Sequence, residues 1–382
     1  MSKIENIAKY IDAIANNDLS LETYRKYEQD ILSVTGDDLF TLFYERLNKQ
    51  ETPQSILRYL DRLMHVFYQN LKNHVLDYPV NEFLDGLHQE NEELAKRLES
   101  IKVHMRRDDW FEQRAELLPR FEELLQFDVH YLKKENILFS YLEKQEARFQ
   151  GVSIMWSLHD QTRQSLKDVI ELLSQDDKAA LTSAIGRYFF DAYGLIQKEE
   201  AILFVVSDAV LSEADFEVMQ HQSFDFGFAF IDPKQPQAIT QAPLTTSGLY
   251  ESETGSLSFE QITMLLNTLP MDCTVVDEHD KVIFFNNPKE RHFYRSKAVI
   301  GRDVKNCHPA ESVHIVNDIV DSFKQNKKDV ASFWINFKGK KILIQYFALR
   351  DENNTYRGVV EISQDISEIL TIKGEKRLLD WD

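Results

Sequence analysis

The chain is poor in cysteine, has few prolines over its first two thirds, and carries neither a basic cluster nor a long apolar run. Cysteine occurs only at Cys273 and Cys307, too few for a disulfide framework. No stretch approaches the roughly 18 uninterrupted apolar residues that a bilayer-spanning helix needs. The opening MSKIENIAKYIDAIANND is charged and helical in pattern, without the apolar centre of a signal peptide. Acidic residues number 63 against 44 Lys and Arg, for a formal net charge of −19. Phosphate contacts need a basic surface, so a nucleic-acid binder is not expected, and a tether to anionic lipid is disfavoured for the same reason. The expectation is a cytoplasmic protein that binds neither nucleic acid nor membrane.

What is present is core-forming material. Of 382 residues, 43% are apolar and 12% aromatic, which fits two or three folded domains. Six of the nine prolines fall in the last 150 residues; ahead of Pro233 only Pro53, Pro79 and Pro119 interrupt a sequence rich in Glu, Leu, Lys and Gln. That distribution predicts an all-α N-terminal two thirds. Residues 233–257 then gather proline, glycine, serine and threonine and read as a linker. Beyond them MDCTVVDEHDKVIFFNN offers two short β-rich runs, and DVASFWINFKGKKILIQYFALRDENNTYRGVVEISQDI offers three more. Between these groups ESVHIVNDIVDSFKQ places Val313, Val316, Val320 and Phe323 on one helical face. The tail is thus an α+β module of about 110 residues.

One stretch recurs. HYLKKENILF at 130–139 returns at 195–204 as LIQKEEAILF, identical at five of ten positions, with Leu195 in place of His130. His130 and Glu135 stand five residues apart, about 140° around a regular helix. Convergence on one point requires a bulge in the helix, or the use of Glu199 in the second copy.

The run GRDVKNCHPAESVHIVNDIVDSFKQNKKDVASFWI, followed by YFALRD, GVVEISQDI and GEKRLLDW, resembles the PAS module that ends a family of bacterial proteins. In that family it follows a DUF438 segment and a hemerythrin-like (HHE) domain. LDRLMHVFYQNL resembles the end of DUF438, and ENILF and MWSLHDQTR resemble the hemerythrin-like middle. The resemblance implies a DUF438-like helical region at 1–75, a four-helix bundle at 76–232, the linker at 233–257, a PAS domain at 258–368 and a terminal helix at 369–382.

Hemerythrin-type bundles hold two irons on inward His and carboxylate side chains. On this resemblance the metal candidates are His88, His130, Glu135, His159 and Glu200, with Leu195 in the position of a sixth donor and Tyr78 where relatives carry a His-Pro pair. A bundle that keeps the fold and holds no metal is the competing reading. In the PAS module, heme-binding relatives ligate iron near the start of the longest helix, which makes His308 or His314 the candidate heme ligand. His308 could instead orient the helix start, and His65 reads as structural. Phe333, Trp334, Phe337, Tyr346 and Phe347 are expected to line the sheet. No G-x-S-x-G, H-E-x-x-H or G-x-G-x-x-G pattern is present, so an enzyme is not expected. The expected function is sensory: binding of iron or heme, or response to redox state, O₂ or NO, relayed to a protein partner or through a PAS homodimer. The alternatives are a di-iron protein for iron storage, delivery or NO and O₂ detoxification, and a metal-free scaffold.

Overall fold

A computed structural model of the chain describes residues 2–234, 248–308 and 310–375. It divides into two compact units, Met1–Gln237 and Ala238–Asp382.

The first unit is helical, as its composition predicts. Four helices open it: Lys3–Ala15, Leu21–Ile31, Gly36–Asn48 and Pro53–Leu71. Ser2, Ser20, Thr35 and Thr52 each precede a helix, and each side-chain oxygen accepts a hydrogen bond from the backbone N–H three residues on. Pro53 follows its cap at the first turn, where no backbone donor is lost. Ile7, Ile11, Leu63 and Phe67 of these helices are buried in the same core as Leu94, Leu98 and Ile185 of the bundle that follows. His65 points outward and is exposed.

The bundle has four long elements. The first is Glu82–Met105, capped by Asn81. The second spans 118–145 and is continuous through Asp128–Lys133, a π-helical turn at Lys134–Leu138, and Phe139–Gln145. The third is Val152–Leu172. The fourth spans 178–210, through Lys178–Lys198, a π-helical turn at Glu199–Leu203, and Phe204–Val210. A further helix, Glu213–Phe226, packs on the first. The bulge that the His130–Glu135 spacing requires is therefore present, and it occurs in both copies of the repeat. Lys134 and Glu199, which open the two π turns, are equivalent positions of the two repeats. An inserted π residue shifts every later side chain around the axis, which turns Glu135 and Glu200 inward with their neighbours.

The second unit opens with a hairpin, β1 Leu249–Ser252 paired with β2 Gly255–Ser258, and a helix Phe259–Thr268. The hairpin thus begins inside the span expected to be linker, at Leu249, and ends at Ser258, where the PAS domain was expected to begin; residues 235–247 lie outside the described residues. Five strands follow: β3 Asp272–Asp277, β4 Val282–Phe285, β5 Val330–Phe337, β6 Lys340–Arg350 and β7 Tyr356–Asp365. They form one antiparallel sheet in the order β4-β3-β7-β6-β5. The helix Ala310–Lys324 lays Val316, Val320 and Phe323 into a core with Val276, Ile342, Ile344 and Tyr346. Gly358 sits at φ 139° opposite Asp277, where an added Cβ would lie 2.1 Å from the Val276 carbonyl oxygen. Only glycine meets both conditions. Strand alternation corrects one expectation: Phe333 and Phe337 pack toward the core, and Trp334 between them is 64% exposed. After β7 there is a short turn at Ile369–Thr371; Leu378, Leu379 and Trp381, expected in a terminal helix, lie outside the described residues.

Candidate functional site

The interior of the bundle is organised around a pseudo-twofold relation between the repeats. His88 of the first helix has Nδ1 3.1 Å from both carboxylate oxygens of Glu200 on the fourth. His159 of the third helix has Nδ1 2.8 Å from Glu135 Oε1 on the second. Each half thus sends its first histidine to the acid at the sixth position of the other half's repeat. Tyr78 belongs to this arrangement: its ring stacks on His88 at 3.8 Å, and its hydroxyl donates to Glu200 Oε2 at 3.1 Å.

Between the two pairs lies a wholly buried chain. His130 sets Nδ1 2.7 Å from Glu90 Oε2 and Nε2 2.9 Å from Glu199 Oε2. Lys133 donates to Glu90 Oε1 at 2.6 Å, and the Ala229 backbone N–H donates to the same oxygen at 2.7 Å. Lys134 donates to Glu199 Oε1. Asn91 ties the chain to the edge, donating to Glu199 Oε2 at 3.1 Å and to Glu200 Oε1 at 3.0 Å. Arg163 grips Glu135 with Nη1 at 2.8 Å and Nη2 at 3.1 Å, and reaches Asp128 with Nε at 2.7 Å.

The electrostatics follow from burial. His130 and His159 are held well below the ordinary histidine value, first by desolvation and then by the neighbouring cations. Glu90 is raised by burial against the pull of Lys133, and Lys133 is lowered by burial against the pull of Glu90. His88, nearer the surface, is raised by its bond to Glu200.

The five expected metal donors are therefore all drawn to the bundle interior, as hydrogen-bonded histidine–glutamate contacts. The residues that complete the centre are Glu90, Asn91, Lys133, Lys134, Arg163 and Glu199. Of these only Glu199 was flagged by the sequence, through its four-residue spacing from Leu195. Lys134 had a legible signal in the repeat itself, because it stands where the second copy has Glu199. Leu195 is buried in the apolar core.

A pair of irons does not fit these side chains. Both nitrogens of His130 are engaged, Glu135 is held by a guanidinium, and Glu90 and Glu199 each bind a lysine. In this centre, the buried polar atoms without a hydrogen-bond partner are Asn91 Oδ1 and His159 Nε2, which do not make a coordination shell. Among the described residues no three His, Cys, Asp or Glu side chains are grouped to hold a metal ion.

In the second unit the structure separates the two histidine candidates. His314 is exposed on the Ala310–Lys324 helix. His308 turns inward, with Nε2 buried and without a hydrogen-bond partner among the described residues. Its pKa is pulled down to about 4 by burial, opposed by Glu361 and reinforced by Arg295. Glu361, whose charge acts on His308, is buried with Tyr346, and Arg295 Nε is buried without a hydrogen-bond partner among the described residues. Asp272 Oδ2 accepts from the backbone N–H groups of His292 and Phe293, at 2.9 Å and 3.0 Å, which holds the loop carrying Arg295 against the sheet. The acid and the two arginines that line this interior, Glu361, Arg291 and Arg295, had no sequence signal.

Residues 80–206 match the family model of the hemerythrin HHE cation binding domain, and residues 262–367 match that of a PAS domain. The chain thus carries a hemerythrin HHE region followed by a PAS region. Similar solved structures include a C-terminal domain from Streptococcus mutans, 28% identical over 33% of this chain and 97% of that one, with a TM-score of 0.31. The PAS domain of a protein from Colwellia psychrerythraea is 20% identical over 28% of this chain and 97% of its own, with a TM-score of 0.24. A sensory box sensor histidine kinase from Vibrio cholerae is 14% identical over 28% of this chain and 89% of its own, with a TM-score of 0.23. No curated protein matches the chain. Among the described residues no helix is long and apolar enough to cross a membrane.

Proposed function

We propose that this is a non-catalytic sensory protein of the cytoplasm whose input is a small ligand taken up by the PAS domain against His308, with output through a protein partner or a second copy. The observation that carries the reading is the buried, unpaired Nε2 of His308. An orphaned polar atom in a protein interior costs about 1–3 kcal/mol and is kept where something else completes it. A neutral imidazole nitrogen of this kind is the commonest axial donor to heme, which makes heme the first candidate, and heme iron would supply sensitivity to redox state, O₂ or NO. His308 would hold it, Tyr346 and Glu361 would orient it, and Arg295 would face its carboxylates. Exposed Val330 and Trp334 on β5, an edge strand, give the PAS domain a surface for a partner or a second copy.

The test is an absorption spectrum with metal analysis, on protein expressed with iron and heme precursor and purified without chelator. A Soret band that is lost in His308→Ala and kept in His314→Ala supports the reading. Iron at about two per chain with no Soret band would move the function to the bundle and to di-iron chemistry. Neither signal would leave an interaction scaffold.

A further inference from the structure

We infer that the hemerythrin-type bundle of this chain is closed by its own cations: Lys133, Lys134 and Arg163 hold the carboxylates that a pair of metal ions would otherwise neutralise, so the domain folds and persists without metal. The inference is independent of the ligand assigned to the PAS domain.

Three observations carry it. The first is charge. Three buried carboxylates, Glu90, Glu135 and Glu199, meet three cationic side chains in formal one-to-one contacts: Lys133 with Glu90, Arg163 with Glu135, and Lys134 with Glu199. Lys133 and Lys134 are 1% and 0% exposed, and a lysine is almost never buried so completely unless it is paired. An acid set built for metal leaves its charge uncompensated when empty and must take up protons instead. Here the compensation is internal.

The second is symmetry. Lys134 and Glu199 are the same position of the two repeat copies, each opening a π turn. In one copy that position is an acid and in the other a lysine, and the two bond each other directly. A duplicated acid at both positions would present two carboxylates to a shared cation. One acid-to-lysine exchange converts the same geometry into an ion pair.

The third is saturation. His130 has both nitrogens bonded, to Glu90 and Glu199, while Glu135 and Glu200 are already taken by Nδ1 of His159 and of His88. Metal entry would require breaking several buried charge-assisted contacts at once.

The experiment uses the full-length chain, dialysed and then offered Fe(II), Mn(II) or Zn(II) anaerobically, with bound metal counted and thermal melts recorded with and without EDTA. Iron is counted beside the Soret absorbance, so that heme in the PAS domain is not mistaken for bundle iron. The expected result is no stoichiometric non-heme metal and a Tm for the helical unit unchanged within about 1 °C by any of the metals or by chelator. A metal held only by the native state at a hundredfold its Kd would raise Tm by roughly 5–10 °C. One or two tightly held non-heme ions, with Tm falling on chelation, would overturn the inference. Lys134→Met supplies the second measurement. It should lower Tm in metal-free buffer while Lys134→Arg retains it, and failure of Lys134→Met to fold where Lys134→Arg folds gives the same answer. A Lys134→Met protein as stable as the parent would overturn it.

Discussion

Lys133→Met isolates the energetics of the buried centre. The substitution removes a charge that is 1% exposed and leaves an unbranched apolar chain of similar length, so packing against the neighbouring helices is largely kept. Its ammonium is 2.6 Å from Glu90 Oε1 and lies 4.1 Å from the centre of the Phe228 ring. Glu90, 0% exposed, would keep only the Ala229 N–H and His130. Breaking one side of a buried pair costs about 3–5 kcal/mol, because the surviving charge stays desolvated. For a unit of this size a kcal/mol is worth about 2–4 °C in Tm, so the variant should melt roughly 6–20 °C lower. The assay is denaturant and thermal unfolding followed by far-ultraviolet circular dichroism in EDTA-containing buffer. Adding Glu90→Gln removes the stranded charge, so the double variant should lose less than the sum of the two singles, with a coupling of about 1–3 kcal/mol. A Lys133→Met variant within about 0.5 kcal/mol of the parent, or strictly additive singles, would refute the claim that these cations compensate the acids.

Two further outcomes follow from other parts of the molecule. His88 faces Glu200, Glu92 and Asp85, and its folded pKa is raised chiefly by the bond to Glu200. The stability this adds is fully present below the unfolded value of about 6.5 and is lost as pH rises through the higher folded value; the advantage of the parent over His88→Gln should therefore shrink between about pH 6 and pH 9, and an advantage constant over that range would contradict the His88–Glu200 pairing. Gly358→Val forces a branched side chain onto φ 139° and into the Val276 carbonyl, so the PAS domain should lose at least about 2 kcal/mol in urea unfolding; a neutral result would mean that the β3–β7 crossing is looser than described.

Much of this protein is written locally. Caps such as Ser2, Thr35 and Asn81, the scarcity of proline before Pro233, and the alternation in β6 and β7 each act over a few residues, so helix and strand could be assigned from spacing alone. The same holds for the bulge: a five-residue step between His130 and Glu135 cannot serve one face of a regular helix, and the π turn at Lys134–Leu138 resolves it. The repeat at 130–139 and 195–204 likewise located the centre of the bundle before any contact was known.

Local pattern could not decide what the repeated residues bond. Glu, Lys and His at helical spacing read alike whether they face solvent, metal or one another. Only the packing of four helices brings Glu90 to Lys133 across 43 residues, Glu199 to Lys134 across 65, and His88 to Glu200 across 112. The same is true of His308 and His314, six residues apart in the chain: one is exposed and the other turns a buried, unpaired nitrogen inward. The sequence by itself determined the elements and the approximate place of the centre, because those depend on neighbours in the chain. Which charges cancel, and therefore whether the centre needs a metal, was decided by tertiary structure, because desolvation and pairing depend on what lies across the interior.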